Sequence, residues 1–119
     1  EESLQWYDRA EYFANFHLKF LVDLTLYLGV LPNTSAIELP YFDLEAGVFV
    51  AMHNGHSLMS EQDSLLLKFF LSHSLEEVCL LKISREERNG LLEQLLNYYL
   101  WHLPNFKIPK SWEVLKSVL

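Results

Sequence analysis

A long helical pattern over residues 8–28 is the strongest constraint on the fold. Large apolar side chains recur there at three- and four-residue steps: Phe13, Phe16, Phe20, Leu24 and Leu28. Residues at this spacing share one face of an α-helix. The opposite polar stripe of Asn15, Lys19 and Asp23 is narrow, and a helix so apolar around its circumference is buried on several sides. The pattern therefore predicts that this helix is the centre of the domain and that it ends at Gly29.

Serine residues predict where three further helices begin. Serines that can cap a helix N-terminus open segments over about 60–72, 74–81 and 84–103. In the third segment, Ser84 and Glu87 have the spacing of a capping box, in which each side chain accepts from the other's backbone N–H group. The predicted core face of this helix consists of five residues: Leu91, Leu92, Leu95, Leu96 and Tyr99.

Residues 40–52 interrupt the helical pattern. β-Formers lie on both sides of an acidic turn that ends at Gly47, which predicts a short hairpin. After Pro109, Trp112 begins helical spacing again and predicts a last short helix. The expected fold is therefore all-α, mostly helical with four to five helices, with a small β-hairpin or loop excursion around residues 40–52. We expect residues 1–119 to form a single domain.

Composition and charge exclude several classes of protein. The chain has 119 residues, of which 50% are hydrophobic and 21% charged, and this excludes a disordered tail. No apolar run reaches the roughly 18 residues that span a membrane. Residues 1–63 contain ten acids and two bases, whereas residues 64–119 have a net charge of +1. A total of −7 argues against an autonomous nucleic-acid binder, and an anionic partner should bind the second half.

Compartment is indicated by cysteine use and by the first residues. Cys79 is the one cysteine, so no internal disulfide can form, and a reducing compartment is favoured. The sequence opens with Glu1-Glu2-Ser3, without a start methionine or an apolar signal segment. These features favour a piece of a longer protein that is not secreted.

Residues that could carry chemistry do not assemble into a predicted active site. His53 and His56 could ligate zinc, with Asp43 nearby, but the set lacks further ligands. His17 falls on the apolar face of the first helix and is expected to be a hydrogen-bonded core histidine. Cys79 lies among apolar residues, which favours a core role over a nucleophile. The prediction is a protein that is not an enzyme.

Two aromatic residues near the end of the long helix are candidate anchors for a partner. Tyr98 and Trp101 share a face with Gln94 and Asn97, opposite the leucine ridge. Exposed aromatic side chains tend to mark interfaces. The alternative is that residues 104–119 fold back and cover both rings.

Three groups of residues resemble a known family. The first is Asn15-Phe16-His17-Leu18-Lys19-Phe20-Leu21 with Leu28-Gly29 and Pro32-Asn33, and the second is Tyr41-Phe42-Asp43-Leu44-Glu45-Ala46-Gly47. The third combines Arg88, Leu91-Leu92, Leu95-Leu96, Tyr98-Tyr99 and His102 with Phe106, Lys110-Ser111 and Val114-Leu115. Together they span nearly the whole chain and resemble the C-terminal domain of the RecO family of DNA repair proteins, in the version found in Bacteroides-like bacteria.

The resemblance implies a role in DNA repair by homologous recombination. Members of the family are recombination mediators that bind and anneal DNA and work with RecR on strands coated by single-strand-binding protein. They carry an N-terminal OB-fold before the helical domain. The resemblance thus implies that this chain is the C-terminal domain without its OB-fold. It also implies a location in the bacterial cytoplasm, associated with the nucleoid and not with a membrane. DNA would be contacted mainly through the missing N-terminal domain.

The resemblance also implies what the site should contain. Some relatives carry a four-cysteine zinc element over the region that corresponds to residues 41–56, and its absence here implies no zinc and no other cofactor. Relatives receive the acidic, phenylalanine-ended tail of single-strand-binding protein in an apolar pocket edged by cations. The candidate cations are Lys82, Arg85 and Arg88, and the candidate walls are Leu67, Leu71 and Leu91. The alternative is that these charges are solvated and partnered by nearby glutamates.

Two functional hypotheses follow. In the first, the chain is a protein-interaction and scaffold domain that binds RecR and the acidic tail of single-strand-binding protein. In the second, which the residues would support without the resemblance, it is a non-enzymatic helical regulatory or ligand-binding domain.

Overall fold

Four helices and one hairpin make up the described part of the chain. A computed structural model describes residues 6–51 and 57–103, with the backbone alone for residues 6–10. The elements are α1 (Trp6–Tyr27), β1 (Tyr41–Asp43), β2 (Val48–Val50), α2 (Glu61–Ser72), α3 (Leu75–Cys79) and α4 (Arg85–His102). The predicted mostly helical fold with a small β excursion is confirmed. The helix predicted after Pro109 lies outside the described residues.

The predicted serine caps are present at all three helix starts. Ser60 Oγ accepts from the backbone N–H of Asp63 at 3.1 Å. Ser84 and Glu87 form a capping box, in which Ser84 Oγ accepts from Glu87 N at 3.0 Å and a Glu87 carboxylate oxygen accepts from Ser84 N at 2.8 Å. An equivalent box opens α3 at Ser74. Each box satisfies backbone donors that a helix start leaves without partners.

The hairpin is held by its turn and by one aromatic pair. Phe42 lies opposite Phe49 in the antiparallel register, and both rings are buried with their centroids 4.9 Å apart. Asp43 Oδ1 accepts from the backbone N–H groups of Glu45 and Ala46, both at 3.0 Å. Gly47 closes the turn at a φ of 72°, a conformation that favours glycine. The Asp43 carboxylate therefore serves the backbone of the turn, as a turn aspartate commonly does.

Helix α4 supplies the centre of the core. Its five predicted core residues are all buried, and they pack with Leu18, Val22, Phe42 and Phe70. Tyr99 donates its hydroxyl hydrogen bond to Leu21 O, and Tyr98 donates to Val30 O. These two bonds join the last turns of α4 to the second half of α1 and to the residues that follow it.

The prediction that α1 is buried on several sides at the centre of the domain is wrong. The phenylalanine face points outward, and the side chains of Phe13 and Phe20 are 58% and 56% exposed. The buried face consists of residues from the other side of the helix, including the polar stripe: Ala14, Asn15, Leu18, Lys19, Val22 and Thr25. His17 is exposed as well, so the prediction of a core histidine is also wrong.

Two polar side chains hold α1 in this orientation. Asn15 Nδ2 donates to Val78 O at 3.0 Å and to Leu81 O at 2.7 Å. Lys19 Nζ donates to Phe70 O at 2.6 Å and pairs with an Asp23 carboxylate oxygen at 3.0 Å. The carbonyls at helix C-terminal ends have no partner within the helix, and leaving them buried and unpaired costs free energy. Asn15 and Lys19 of the polar stripe therefore face inward because they satisfy carbonyls at the ends of α2 and α3, whereas Asp23 is exposed.

Burial of the two core tyrosines makes stability depend on pH in the alkaline range. Burial raises the pKa of Tyr98 and of Tyr99 from 10.0 to about 12, and at Tyr99 the neighbouring Tyr98 adds to the effect. Because the folded pKa is the higher one, the stabilisation is complete below pH 10 and is lost as pH rises from 10 to about 12. We expect a loss of about 1–2 kcal/mol for each ring, measured by urea unfolding at successive pH values.

Matched variants isolate this effect. Tyr98→Phe and Tyr99→Phe should each reduce the alkaline loss, whereas Tyr27→Phe, at a residue that is 81% exposed, should leave it unchanged. An equal alkaline loss in all three variants would contradict the assignment to the buried rings.

No helix among the described residues is both long enough and apolar enough to cross a membrane.

Candidate protein-interaction site

An apolar groove lies between α2 and the segment that joins α3 to α4. Its cavity volume is about 220 Å³. The apolar lining comes from five side chains: Leu65, Leu66, Phe69, Leu81 and Ile83. Gln62 and Glu87 complete the lining as its polar edge. We call this feature the α2 groove.

Helix α2 has more apolar residues than its inward face can bury. Six of the seven residues from Leu65 to Leu71 are apolar. Leu67 and Phe70 face the core, while Leu65, Leu66 and Phe69 fall on the next strip of the helix and line the groove. The surplus over one helical face is the sequence signal that could have identified these groove residues.

The predicted walls of the pocket are therefore wrong in part. Leu67 and Leu91 are fully buried core residues and do not line the α2 groove. Leu71 is half-buried, packs against the core and does not line the α2 groove. Leu81 and Ile83, which flank Lys82, take the place of these predicted walls.

Glu87 is the charged residue in the groove lining, and its carboxylate already has partners. One oxygen accepts from Ser84 N at 2.8 Å, and the other accepts from Gln62 Nε2 at 3.2 Å. The backbone hydrogen bond from Ser84 lowers the pKa of Glu87, with smaller contributions from the Ser84 and Gln62 side chains, so the group stays ionised. Hydrogen bonds from neutral donors thus stabilise the negative charge of Glu87.

A polar recess of about 280 Å³ adjoins the groove and shares Gln62 and Glu87 with it. Asp63, Ser84 and Glu86 complete the lining. Burial raises the pKa of Asp63 despite its hydrogen bond with Ser60, and repulsion by Glu87 raises it further. This side of the groove is therefore acidic. Within the described ranges no group of three or more His, Cys, Asp or Glu residues could hold a metal ion. His53 and His56 lie outside those ranges.

The three candidate cations do not share one environment. Lys82 and Arg85 are exposed, on either side of Ile83 and Ser84 at the start of α4. Arg88 is buried, and its Nη1 donates to Ile83 O at 2.9 Å. The prediction of Arg88 as a surface cation is wrong, because its guanidinium supports the turn that forms the groove wall.

Tyr98 and Trp101 are also in different environments. Tyr98 is a core residue that packs against Phe42 and His102, so its prediction as an exposed anchor is wrong. Trp101 is 52% exposed, and the neighbouring Leu100 is exposed as well. Trp101 therefore has the exposure that the predicted role as an anchor requires. Residues 104–119, predicted as the alternative cover, lie outside the described part of the chain.

Cys79 is buried and has no disulfide partner. Burial raises the pKa of its thiol, although a hydrogen bond with Tyr12 opposes this effect. A thiol with a raised pKa is a poor nucleophile at neutral pH. The predicted core role of Cys79 is confirmed.

Comparison with known proteins gives one consistent result. No family model matches the chain, and no solved structure matches it. DNA repair protein RecO of Flavobacterium psychrophilum is 40% identical over 118 residues, and that of Flavobacterium johnsoniae is 37% identical over 123 residues. DNA repair protein RecO of Bacteroides fragilis is 34% identical over 124 residues.

The extent of these matches agrees with the resemblance found in the sequence. Each covers 99% of this chain but only 49% or 50% of the relative. The chain thus spans about half the length of the relatives it matches. Sequence identity of this degree, in alignments that cover nearly the whole length of the chain, shows common descent. The chain belongs to the RecO family of DNA repair proteins.

Proposed function

We propose that this chain is the protein-interaction domain of a recombination mediator in DNA repair. In this role the α2 groove binds the acidic, phenylalanine-ended tail of single-strand-binding protein. Family membership supports the general role. The observation that supports the binding site is an apolar groove whose lining residues Leu81 and Ile83 flank the exposed Lys82, with the exposed Arg85 two residues after Ile83. RecR is the second proposed partner, and Trp101 with Leu100 is the candidate contact for it.

The apolar lining suits a terminal phenylalanine. Burying such a side chain among Leu65, Leu66 and Phe69 contributes about 1.5–3 kcal/mol. Leu65 is 65% exposed, so its side chain is accessible to such a ring. A phenylalanine there would also cover leucine side chains that otherwise contact water.

The cations suit the carboxylates of the tail. Arg85 opens α4, where the positive end of the helix dipole favours anions. An arginine can hold a carboxylate through two hydrogen bonds, and Lys82 adds a second positive charge just before the helix. The acidic recess opposes an acidic ligand. The tail carboxylates should therefore lie on the Lys82 and Arg85 side, away from Asp63 and Glu86.

The experiment combines two variants with a labelled acidic peptide that ends in phenylalanine. Lys82→Ala together with Arg85→Ala should weaken binding by about 2 kcal/mol, roughly 30-fold, at about 1–1.5 kcal/mol for each charged hydrogen bond lost at an exposed edge. Leu65→Ser should weaken it separately by removing groove lining. Fluorescence anisotropy measures both effects.

Two controls make the result specific. Lys68→Ala removes a cation whose ammonium lies 5.6 Å from the Phe49 ring centroid, on the hairpin side, and it should not change affinity. A peptide whose terminal phenylalanine is replaced by alanine should bind the parent poorly. If Lys82→Ala with Arg85→Ala and Leu65→Ser all bind the peptide like the parent, the groove is not the tail site.

We infer that DNA is contacted mainly by the part of the family protein that this chain does not cover. The ten acids of residues 1–63 against two bases disfavour strong phosphate binding by this domain. We also propose that the domain acts without an enzymatic site, zinc or another cofactor, and that it works in the bacterial cytoplasm.

A further inference from the structure

The outward face of α1 is an exposed apolar surface. It consists of Phe13, Phe16, Phe20, Leu24, Tyr27 and Leu28, which we call the α1 outer face. Phe13, Phe20 and Tyr27 follow one another at seven-residue steps and are 58%, 56% and 81% exposed. The whole surface of an aromatic side chain is about 150–250 Å². From the exposed fractions, the face presents roughly 500 Å² of apolar surface to solvent.

This orientation is imposed by the rest of the domain. Rotating α1 to bury the phenylalanines would remove Asn15 from Val78 O and Leu81 O, and Lys19 from Phe70 O. Those carbonyls lie at the ends of α2 and α3, and rotation would remove a side-chain donor from each of them, although Val78 O would keep Leu81 N as a partner. The outer face must be covered, if at all, by something outside the described core.

The outer face carries almost no charge. From Tyr12 to Leu31 the charged residues are Lys19 and Asp23, and these two pair with each other at 3.0 Å. The solvent-exposed face of a helix normally carries charged residues. Depletion of charge together with enrichment in aromatic residues is typical of the buried centre of an interface, and permanent interfaces are the most apolar.

We propose that the α1 outer face is the docking surface for the other half of the family's polypeptide, and that it forms a permanent interface within the full-length protein. This inference rests on family membership and concerns a surface separate from the α2 groove. The relatives contain about as many residues again as this chain matches. A segment tethered in the same chain is present at millimolar effective concentration, which suits a permanent contact.

Size and charge both favour this occupant. A standard interface buries about 800 Å² on each partner, of which about 60% is apolar, and this matches the roughly 500 Å² available here. A second copy of this chain would bring together two molecules that each carry a net charge of −7. The partner surface is therefore apolar with neutral or basic surroundings.

The test uses a full-length chimera. This chain replaces the region that it matches in RecO of Flavobacterium psychrophilum, to which it is 40% identical. Phe13→Ser together with Phe20→Ser is placed in the chimera and, separately, in this chain alone. Because both side chains are exposed in the chain alone, its Tm should change by less than about 2 °C. In the chimera, Tm should fall by at least about 5 °C and proteolysis between the halves should rise about tenfold.

Control variants show whether the effect is specific to the α1 outer face. Leu65→Ser with Leu80→Ser alters two leucines that are 65% and 73% exposed elsewhere, and it should have equal, small effects in both contexts. Tyr27→Ser provides a second, milder variant of the outer face. Binding of the acidic peptide to the α2 groove should be unaffected by the outer-face variants, so failure of either proposal can be distinguished from failure of the other.

Two outcomes would overturn the proposal. In the first, Phe13→Ser with Phe20→Ser changes stability and proteolysis equally in the chain alone and in the chimera. In the second, sedimentation shows that this chain alone is a dimer that the same variant dissociates, which would make a second copy the occupant.

Discussion

Asn15→Asp is expected to lower the free energy of unfolding by about 3–4 kcal/mol at pH 7, although the two side chains have nearly the same shape. The amide Nδ2 donates to Val78 O and Leu81 O inside the core. An ionised carboxylate has no hydrogen to donate, and it would place negative charge against two carbonyl oxygens. The variant would therefore lose two hydrogen bonds and add a repulsion, which urea unfolding would measure.

The contrast with Asn15→Ala tests this explanation. Asn15 Oδ1 is buried and has no hydrogen-bond partner among the described residues, so removing the whole amide also removes an unfavourable group. Val78 O additionally accepts from Leu81 N at 3.1 Å and would keep a partner. Asn15→Ala should thus cost less, about 2 kcal/mol.

Acid should partly rescue Asn15→Asp, because a protonated carboxyl can donate one hydrogen bond. The folded-state pKa of the new carboxyl would be raised, so the destabilisation should diminish as pH falls. Asn97→Asp makes the same charge change at an exposed position of α4 and should have little effect. Equal losses for Asn15→Asp and Asn97→Asp would contradict the capping role of Asn15.

Arg88→Ala is expected to lower the free energy of unfolding by about 2–3 kcal/mol. The side chain is only 8% exposed, and Nη1 donates to Ile83 O at 2.9 Å. The substitution would leave that carbonyl without this donor and would remove the buried aliphatic stem. Thermal or urea unfolding of the purified chain measures the loss.

Arg85→Ala is the matched control, since the same residue type stands three positions earlier and is exposed. It should change stability by less than about 0.5 kcal/mol. Weakened tail binding in Arg88→Ala would reflect a disturbed groove wall, so binding experiments must use Lys82 and Arg85. Equal stability effects at the two arginines would show that Arg88 does not support the turn.

Local features of the fold can be predicted from the sequence because neighbouring residues satisfy one another there. Ser84 and Glu87 complete their capping box within four residues, and Asp43 bonds to the turn that it begins. Leu91, Leu92, Leu95 and Leu96 recur at the spacing of one helical face of α4, and all four are buried. Such interactions need no information about distant segments.

The candidate site is only partly predictable in this way. The cations at Lys82 and Arg85 follow from their sequence position, whereas the walls of the α2 groove do not. Leu67 and Leu66 are adjacent and equally apolar, yet one is in the core and the other in the groove. Similarly, Arg85 and Arg88 differ in burial because α4 turns one toward solvent and the other against Ile83.

The positions of the helices and the hairpin, the mostly helical fold class and the family membership all follow from the order of the amino acids. The choice of which side of α1 is buried does not, because both sides are apolar enough to serve. That choice depends on carbonyls 51 to 66 residues away, at Phe70, Val78 and Leu81, whose hydrogen bonds need the amide of Asn15 and the ammonium of Lys19. Leaving buried carbonyls unpaired costs more free energy than leaving phenylalanines exposed, because another surface can still bury the phenylalanines.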